Sequence, residues 1–274
     1  MTGPTPMGMI RLVAADLDGT LLDRDGQVTP RVRAAVATAR SAGVEVAYLT
    51  GRPLHDARVV LGAAGLSGFL AASNGAVVCD RDGAVLSRHV FEGGFGLGLV
   101  GELRGLGLVL GAVTESDLVL DSEFPADLAR EWCVVANDRT VEDLVRGGAV
   151  LKLLAARAGQ RADELTAVVR DVAEDVVVTY STHRFLEISP RAADKGAALR
   201  VIAAAAGVAL REIACVGDMP NDLVMFGTGG LAVAMGNADD QVRAAAHLVV
   251  AGNDADGVAE LLARIVDARV AEVR

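Results

Sequence analysis

Short apolar runs that alternate with helix-like segments constrain the fold of this chain more than any other feature. Near the beginning of the sequence, three such runs cover residues 10–15, 44–49 and 69–72. Predominantly apolar runs of this length predict buried strands. Thr29 and Pro30 suit the cap and the first turn of a helix between the first two runs. Strands that alternate with helices predict a parallel, doubly wound sheet.

The same alternation resumes after Lys195. Strand-like runs recur there between helix-like stretches, at residues 213–216, 231–235 and 248–250. A last helix is predicted from about Asp256. We therefore predict an α/β fold in which residues 9–75 and 190–274 form one Rossmann-like core domain.

Residues 76–189 break this alternation and are predicted to form an inserted α/β domain. Asp82-Gly83 lies between two short apolar runs and predicts a hairpin that opens the insertion. A helix is expected over residues 161–174, whereas the glycine-rich stretch 91–111 carries no clear periodicity until a strand near its end. Strands are predicted at residues 106–113, 150–155, 176–180 and 185–188. Residues 1–8 are interpreted as a loose leader.

Composition narrows the classes of protein that fit. The 274 residues exceed what one hydrophobic core usually organises, and 52% hydrophobic against 23% charged residues predicts packed domains. The net charge of −10 argues against nucleic acid and anionic membrane surfaces as partners. No membrane span or secretion signal is predicted. Cys79, Cys133 and Cys215 lack disulfide or zinc-site spacing, so we expect reduced thiols and a cytoplasmic protein.

Polar residues follow the predicted strands of the core at the point where each strand ends. They are Asp16 and Asp18, Thr50-Gly51-Arg52, Gly217-Asp218 and Asn221-Asp222. Because parallel strands bring their carboxyl ends to one edge, we expect these residues to meet. Several carboxylates, one hydroxyl and the ammonium of Lys195 suit a hard metal ion and a phosphoryl group. Mg²⁺ fits this set best, since the His or Cys ligands that zinc prefers are absent from it.

The chain resembles the haloacid dehalogenase superfamily over nearly its whole length. The resemblance rests on four ordered motifs, which are Asp16-Leu17-Asp18-Gly19-Thr20, Thr50-Gly51-Arg52, Lys195 and Gly217-Asp218-Met219-Pro220-Asn221-Asp222. Three further segments are similar to the Cof-type branch, namely Ser73-Asn74-Gly75-Ala76, Glu187-Ile188 and Ala234-Met235-Gly236-Asn237-Ala238. In that branch a large α/β cap is inserted between the second and third motifs, where the insertion is predicted here.

The resemblance implies a role for each matched residue. Asp16 would be the nucleophile that forms an aspartyl phosphate, and Asp18 the general acid and base. Thr50 and Lys195 would stabilise the phosphoryl oxygens. Mg²⁺ would be held by Asp16, the Asp18 carbonyl and Asp218. Supporting roles at the metal and the phosphate fall to Gly51, Asn221 and Asp222.

Four residues are weaker candidates for contact with the substrate. Arg52 would either contact the substrate or brace its loop, and Asn74 belongs to a Cof-type segment. His183 and Arg184 lie between two predicted strands of the insertion, where they would read the leaving group or form a solvated loop. Lys152 allows the same two interpretations.

The predicted function is a Mg²⁺-dependent phosphatase of a small phosphorylated metabolite, with a sugar phosphate or similar phosphomonoester preferred by family analogy. Two alternatives use the same site. A phosphomutase or other phosphotransferase would pass the phosphoryl group to an acceptor other than water. A non-catalytic regulatory protein that binds a phosphorylated ligand is the third possibility, although every position that the mechanism needs carries a competent residue. Oligomeric state is not readable from the sequence.

Overall fold

The computed structural model describes residues 4–116, 118–124, 139–171, 173 and 175–272. Two β-sheets organise this part of the chain, one of eight strands and one of five. We call them the core sheet and the cap sheet. The two segments predicted to form the core domain build most of the core sheet, and the predicted insertion supplies the cap sheet.

The strands of the core sheet are buried along their length where they lie at its centre. They are β1 (Leu12–Ala15), β2 (Glu45–Leu49), β3 (Leu70–Ala72), β4 (Val77–Cys79), β5 (Val85–Arg88), β11 (Ile213–Gly217), β12 (Leu231–Ala234) and β13 (Leu248–Val249). Their order is β13-β12-β11-β1-β2-β3-β4-β5, and all neighbours from β13 to β3 are parallel. All four residues of β1 are buried, as expected for a central parallel strand covered on both faces.

Helices cover the core sheet and close the parallel connections. They are α1 (Pro30–Ser41), α2 (Leu54–Ala63), α6 (Lys195–Ala206), α7 (Leu223–Phe226), α8 (Asp240–Ala245) and α9 (Gly257–Glu272). The predicted cap of α1 is confirmed, since the Thr29 hydroxyl accepts a hydrogen bond from the Val32 amide at 3.1 Å. Asp194 caps α6 in the same way through the Ala197 amide at 2.7 Å, which makes Lys195 the first residue of that helix.

The cap sheet is antiparallel in its described part. Its strands are β6 (Val109–Val113), β7 (Leu118–Leu120), β8 (Lys152–Ala156), β9 (Val176–Thr179) and β10 (Leu186–Pro190), in the order β7-β6-β8-β10-β9. Helices α3 (Gly93–Gly105), α4 (Val141–Arg146) and α5 (Ala162–Arg170) belong to the same region. Leu103, Leu144 and Leu165 are among the buried residues that join these helices to the sheet in one cluster.

The structure corrects two expectations, one about where the insertion begins and one about its glycine-rich stretch. The hairpin of β4 and β5 was predicted to open it, but β4 pairs antiparallel with β3 through Ala71 and Val78, so the hairpin extends the core sheet. The glycine-rich stretch holds helix α3, although glycine disfavours helices. At Gly96 an added Cβ would lie 2.6 Å from Val145, so α3 needs a glycine to approach α4.

The segment predicted as a loose leader is attached to the core over its described residues. The Thr5 amide donates to the Gly230 carbonyl at 2.9 Å, and Met7–Met9 form a short helical turn with Gly8 buried. Cys79 and Cys215 are buried free thiols, whereas Cys133 lies outside the described residues. No helix in the described part of the chain combines the length and the hydrophobicity needed to cross a bilayer.

Candidate active site

The carboxyl ends of β1, β2 and β11 lie side by side and bring the predicted motifs together. Ala15 is level with Tyr48 on β2 and with Val216 on β11. The Asp16 amide continues this pairing by donating to the Val216 carbonyl at 3.0 Å. From β1 the chain winds one way to β2 and β3 and, after the insertion, the other way to β11 and β12. Ligands of such sheets bind where the winding reverses, which here is beside Asp16.

Lys195 joins two carboxylates at the centre of this edge. Its Nζ donates to Oδ1 of Asp16 and to Oδ1 of Asp222, both at 2.6 Å. All three residues are buried. Burial alone would lower the pKa of Lys195, but the two carboxylates raise it above its usual value, so the ammonium stays charged. A fixed positive charge therefore lies beside Asp16, as the third motif predicts.

Asp222 holds the loop that follows β11. Its Oδ2 accepts hydrogen bonds from the amides of Asp218 at 2.9 Å and Met219 at 3.1 Å. With Lys195 on Oδ1, both oxygens of Asp222 have donors. Asp222 is thereby occupied in shaping the loop, which agrees with its predicted supporting role.

An acidic cluster forms at the same place. One carboxylate oxygen from each of Asp16, Asp218 and Asp222 lies within 4.8 Å of the others. Burial raises the pKa of Asp16 well above its ordinary value, and burial together with Asp222 raises that of Asp218 to about 7. Carboxylates crowded in this way suit a hard divalent cation, because the ion supplies the missing positive charge. The residues present therefore fit a metal site.

Asp218 is oriented from the first motif. The Thr20 hydroxyl donates to its Oδ1 at 2.8 Å. Gly19 has φ +74°, and a Cβ built there would lie 2.3 Å from Oδ2 of Asp218. Only glycine fits both the left-handed backbone and this close approach. Neither Oδ2 of Asp16 nor Oδ2 of Asp218 receives a hydrogen bond from the described residues, which leaves both oxygens available to a metal ion or a substrate.

The side chain of Asp18 points away from the acidic cluster. Arg52 holds it with two hydrogen bonds, from Nε to Oδ2 at 2.8 Å and from Nη2 to Oδ1 at 2.5 Å. Asp18 remains half exposed, with 49% of its side-chain surface accessible, and faces the cavity described below. Arg52 thus orients Asp18 and also lines the cavity, where contact with a substrate stays a prediction.

The second motif supplies a hydroxyl with an unused hydrogen. Thr50 is completely buried, and its Oγ1 accepts from the Arg52 amide at 3.0 Å. The described residues provide no acceptor for the Thr50 hydroxyl hydrogen, which is thus available to a phosphoryl oxygen. A Cβ added to Gly51 would meet Oε1 of Glu187 at 3.0 Å and Oγ of Ser181 at 3.3 Å. The loop after β2 therefore packs closely against the cap.

Asn74 and Asn221 meet behind this loop. Nδ2 of Asn221 donates to Oδ1 of Asn74 at 3.1 Å, and Nδ2 of Asn74 donates to Oε2 of Glu187 at 3.0 Å. Asn74 has φ +56°, a left-handed conformation that asparagine tolerates better than most residues. Both residues are buried, and Asn74 joins the loops and is not among the residues that line the cavity described below.

The sequence singled out Lys152 and Glu187 separately but did not show that they pair. Lys152 is completely buried on β8 and forms an ion pair with Glu187 on β10. Burial lowers the pKa of the Lys152 ammonium even beside this carboxylate. Composition held a usable signal, because Lys152 and Lys195 are the only lysines among the 26 lysine and arginine residues. A chain that otherwise uses arginine keeps lysine where a compact ammonium is needed.

A cavity of about 520 Å³ opens over the nucleophile candidate. From the core it is lined by Asp16, Asp18, Gly51 and Arg52, and from the loop between β9 and β10 by Ser181, Thr182 and Phe185. His183 and Arg184 belong to the same loop but are not among the lining residues. Nε2 of His183 instead lies 3.5 Å from Oδ2 of Asp239, across the junction with the core.

Comparison with known proteins agrees with this geometry. Residues 13–262 match the model of a family described as haloacid dehalogenase-like hydrolases. The chain belongs to this family. It is 30% identical to YxeH of Bacillus subtilis (strain 168) over 95% of this chain and 100% of that protein. It is also 27% identical to YcsE of the same strain, a 5-amino-6-(5-phospho-D-ribitylamino)uracil phosphatase, over 92% of this chain and 94% of that protein.

Among solved structures, a sugar phosphatase of haloacid dehalogenase subclass IIB superposes with a TM-score of 0.80. The alignment covers 92% of this chain and 98% of the other, at 20% identity, and shows the shared fold. The family that the motifs predicted is thus confirmed, and the shared fold includes a cap sheet beside the core sheet. The prediction of a phosphoric monoester hydrolase is confirmed by the family and by its phosphatase relatives.

Proposed function

We propose that this hydrolase is a Mg²⁺-dependent phosphatase that cleaves a small phosphorylated metabolite through a phosphorylated Asp16. The observation that carries the proposal is the setting of Asp16. Its carboxylate is buried at the switch point of the sheet and lines the cavity, it is held through Oδ1 by Lys195, and the acidic cluster is adjacent. A carboxylate fixed in this way is suited to nucleophilic attack.

Two displacements account for hydrolysis. In the first, a carboxylate oxygen of Asp16 attacks phosphorus, the bond from phosphorus to the leaving oxygen breaks, and Asp18 gives that oxygen its proton. In the second, Asp18 takes a proton from a water molecule, the water oxygen attacks phosphorus, and the bond to Asp16 breaks to release inorganic phosphate. Asp18 suits both roles, because its side chain lies at the cavity and outside the acidic cluster.

Charge on the transferring phosphoryl group is met by groups already in place. Lys195 remains cationic beside Asp16, and the Thr50 hydroxyl keeps a hydrogen to donate. Fixed donors of this kind stabilise a transition state without reorganisation. Asp16, Asp218 and the backbone carbonyl of Asp18 are the proposed holders of Mg²⁺, with Asn221 and Asp222 in support. Bound Mg²⁺ would offset the repulsion between the nucleophile and an anionic substrate.

The proposed substrates are small phosphomonoesters such as sugar phosphates. A cavity of about 520 Å³ has the size of sites that bind small molecules. The hydroxyls of Ser181 and Thr182 together with the polar groups of the core favour a leaving group rich in hydroxyls. Relatives are named as phosphatases of 5-amino-6-(5-phospho-D-ribitylamino)uracil and of HMP-PP, which supports small phosphorylated metabolites as the class.

A phosphate-release assay tests this proposal. The purified chain is incubated with a panel of sugar phosphates, nucleotides, cofactor phosphates and p-nitrophenyl phosphate, with Mg²⁺, with Zn²⁺ or with chelator. We expect release of inorganic phosphate with Mg²⁺, none in chelator, and recovery when excess Mg²⁺ is returned. Full activity in chelator would remove the metal from the mechanism. An isomeric sugar phosphate in place of free phosphate would favour the phosphomutase alternative.

A further inference from the structure

A buried ion pair links the cap sheet to the catalytic loops of the core. Lys152 and Glu187 lie on neighbouring strands, where Glu187 is level with Leu154 and so diagonal to Lys152 on the same face of the sheet. Both side chains are completely buried. Neither residue lines the described cavity, so neither is placed to touch a substrate.

The pair reaches two different loops of the core. Nζ of Lys152 donates to the Gly51 carbonyl at 2.6 Å, inside the segment that carries Thr50. Oε2 of Glu187 accepts from Asn74, which in turn accepts from Asn221 beside Asp222. The Asn74 amide also donates to the Thr50 carbonyl at 2.9 Å. Hydrogen bonds therefore run without a break from the cap sheet to the loops after β2, β3 and β11.

Stability alone is a poor reason for such a pair. Two charges lose their hydration on burial, and hydrophobic residues of similar size often serve a fold equally well. A lone buried charge is strongly destabilising, so Lys152 and Glu187 depend on each other. What apolar residues could not supply is the hydrogen bond to the Gly51 carbonyl and the acceptor for Asn74.

We propose that Lys152 and Glu187 are positioning residues of the phosphatase reaction. They hold Gly51 and Asn74 so that the Thr50 hydroxyl faces the transferring phosphoryl group, and they do so only with the cap sheet seated on the core. The cap would then complete the catalytic site, in addition to any selection of substrates. This inference rests on the proposed function, because it assigns the pair a part in that same reaction.

Three variants test the role of the pair: Lys152→Met, Glu187→Gln and the double variant. Each single change leaves an unpaired buried charge or acceptor and should lower both the melting temperature and kcat. The double variant removes both charges, so its melting temperature should return close to that of the unmodified protein. Its kcat with p-nitrophenyl phosphate and Mg²⁺ should stay about 10²-fold low, the scale of a misplacement of about 1 Å at a catalytic centre.

A second readout separates positioning from folding. Orthovanadate resembles the phosphoryl group in transfer, so its inhibition constant should rise in the double variant along with the loss of kcat. The rise in melting temperature caused by Mg²⁺ should persist, since the acidic cluster is unchanged. As a matched control, Arg191→Met with Asp175→Asn removes an exposed ion pair of 3.0 Å at the edge of the cap sheet and should leave every readout unchanged.

The outcomes are distinct. A double variant with normal kcat and normal vanadate inhibition overturns the positioning role, whether or not the single variants fold. A double variant that stays unfolded also overturns it, because the pair would then be needed for the fold itself. An unmodified protein without Mg²⁺-dependent phosphatase activity overturns the proposed function, and the positioning role with it.

Discussion

The two carboxylates of Asp16-Leu17-Asp18 are only two residues apart, yet they lie in different surroundings. Asp16 is buried against Lys195 and the acidic cluster, whereas Asp18 is half exposed and held by Arg52. Different environments suit different tasks for neighbouring carboxylates, with one as nucleophile and the other as acid and base. Substitution of each aspartate in turn therefore tests whether the two carboxylates have these different roles.

We predict opposite consequences for the two asparagine substitutions. Asp16→Asn removes the nucleophile and should abolish turnover without any phosphorylated intermediate. Asp18→Asn removes the acid and base, typically worth about 10² to 10⁴ in rate, and with an aryl phosphate should accumulate phosphorylated Asp16. Mass spectrometry of acid-quenched protein measures the adduct on the peptide that contains Asp16. An adduct on another peptide, or an active Asp16→Asn protein, would show that the roles are assigned wrongly.

Arg52 allows a second prediction, because its two hydrogen bonds aim Asp18. Arg52→Met should slow hydrolysis of an alkyl phosphate by up to about 10²-fold, the lower end of what a general acid contributes. Hydrolysis of an aryl phosphate should suffer less, since its leaving group needs little protonation. Arg52→Lys keeps the charge but not the paired geometry and should fall between. Equal losses of kcat for both substrates would indicate that Arg52 binds phosphate instead.

At the residue scale the sequence predicted the site well where motifs mark it and poorly where they do not. Asp16, Thr50, Lys195 and Asp218 follow strands or open a helix, and local pattern is enough to find them. Lys152 lies within an apolar run, and its ion-pair partner Glu187 is 35 residues away along the chain. Only tertiary structure shows that the two side chains meet.

Among the elements, the sequence predicted the strands that carry a clear hydrophobic pattern, but it missed the sheet to which one hairpin belongs and a glycine-rich helix. β4 and β5 form the predicted hairpin, but the pairing of β4 with β3 depends on the turn at Ser73–Gly75, where Ser73 and Asn74 adopt positive φ. Helix α3 was not predicted because glycine costs about 1 kcal/mol in a helix relative to alanine. Burial of Leu99 and Leu103 overrides that cost.

In the part of the cap that the structure describes, the loop of residues 180–185 reaches the cavity, and it allows a third prediction. Ser181→Ala with Thr182→Val removes two hydroxyls from the lining and should raise KM for the preferred metabolite by about tenfold, as expected for loss of one or two neutral hydrogen bonds. The ranking of substrates should change as well. Hydrolysis of p-nitrophenyl phosphate should change little.

Steady-state kinetics over a substrate panel measures this effect. Ser122→Ala, an exposed serine of the cap that does not line the cavity, is the matched control. An unchanged ranking in the loop variant would remove Ser181 and Thr182 from substrate recognition. It would return attention to His183 and Arg184, which the sequence singled out in the same loop.

On the scale of the whole molecule, the order of the motifs predicted a core sheet interrupted by a cap, and the winding of the sheet confirms it. The sequence did not show where the core ends and the cap begins, because the sequence pattern of the β4–β5 hairpin is compatible with either sheet. The sequence also did not show that residues of the cap sheet bind the loops of the core. Gly51 lies in the core, yet its carbonyl is bound by Lys152 from the cap.

The acidic cluster should lower the stability of the folded protein when no cation is bound, which leads to a prediction about metal and thermal unfolding. Mg²⁺ that binds only the folded protein stabilises it by about 2.7 kcal/mol at a concentration 100 times its dissociation constant. For a chain of this size each kcal/mol corresponds to roughly 2 to 4 °C in melting temperature. We therefore expect thermal unfolding to shift upward by several degrees with Mg²⁺.

Asp218→Asn should abolish that shift, whereas Asp18→Asn, whose side chain lies outside the cluster, should keep it. In chelator, we expect the Asp218→Asn substitution to have the opposite effect on the melting temperature. The pKa of Asp218 in the folded protein is raised to about 7, above its unfolded value, so stability falls as the pH rises through 7 and the buried carboxyl ionises. At pH 8 without metal, the Asp218→Asn protein should therefore melt at a higher temperature than the unmodified protein. A persistent Mg²⁺ shift in Asp218→Asn, or a lower melting temperature in chelator, would contradict the assignment of Asp218 as a metal ligand under electrostatic strain.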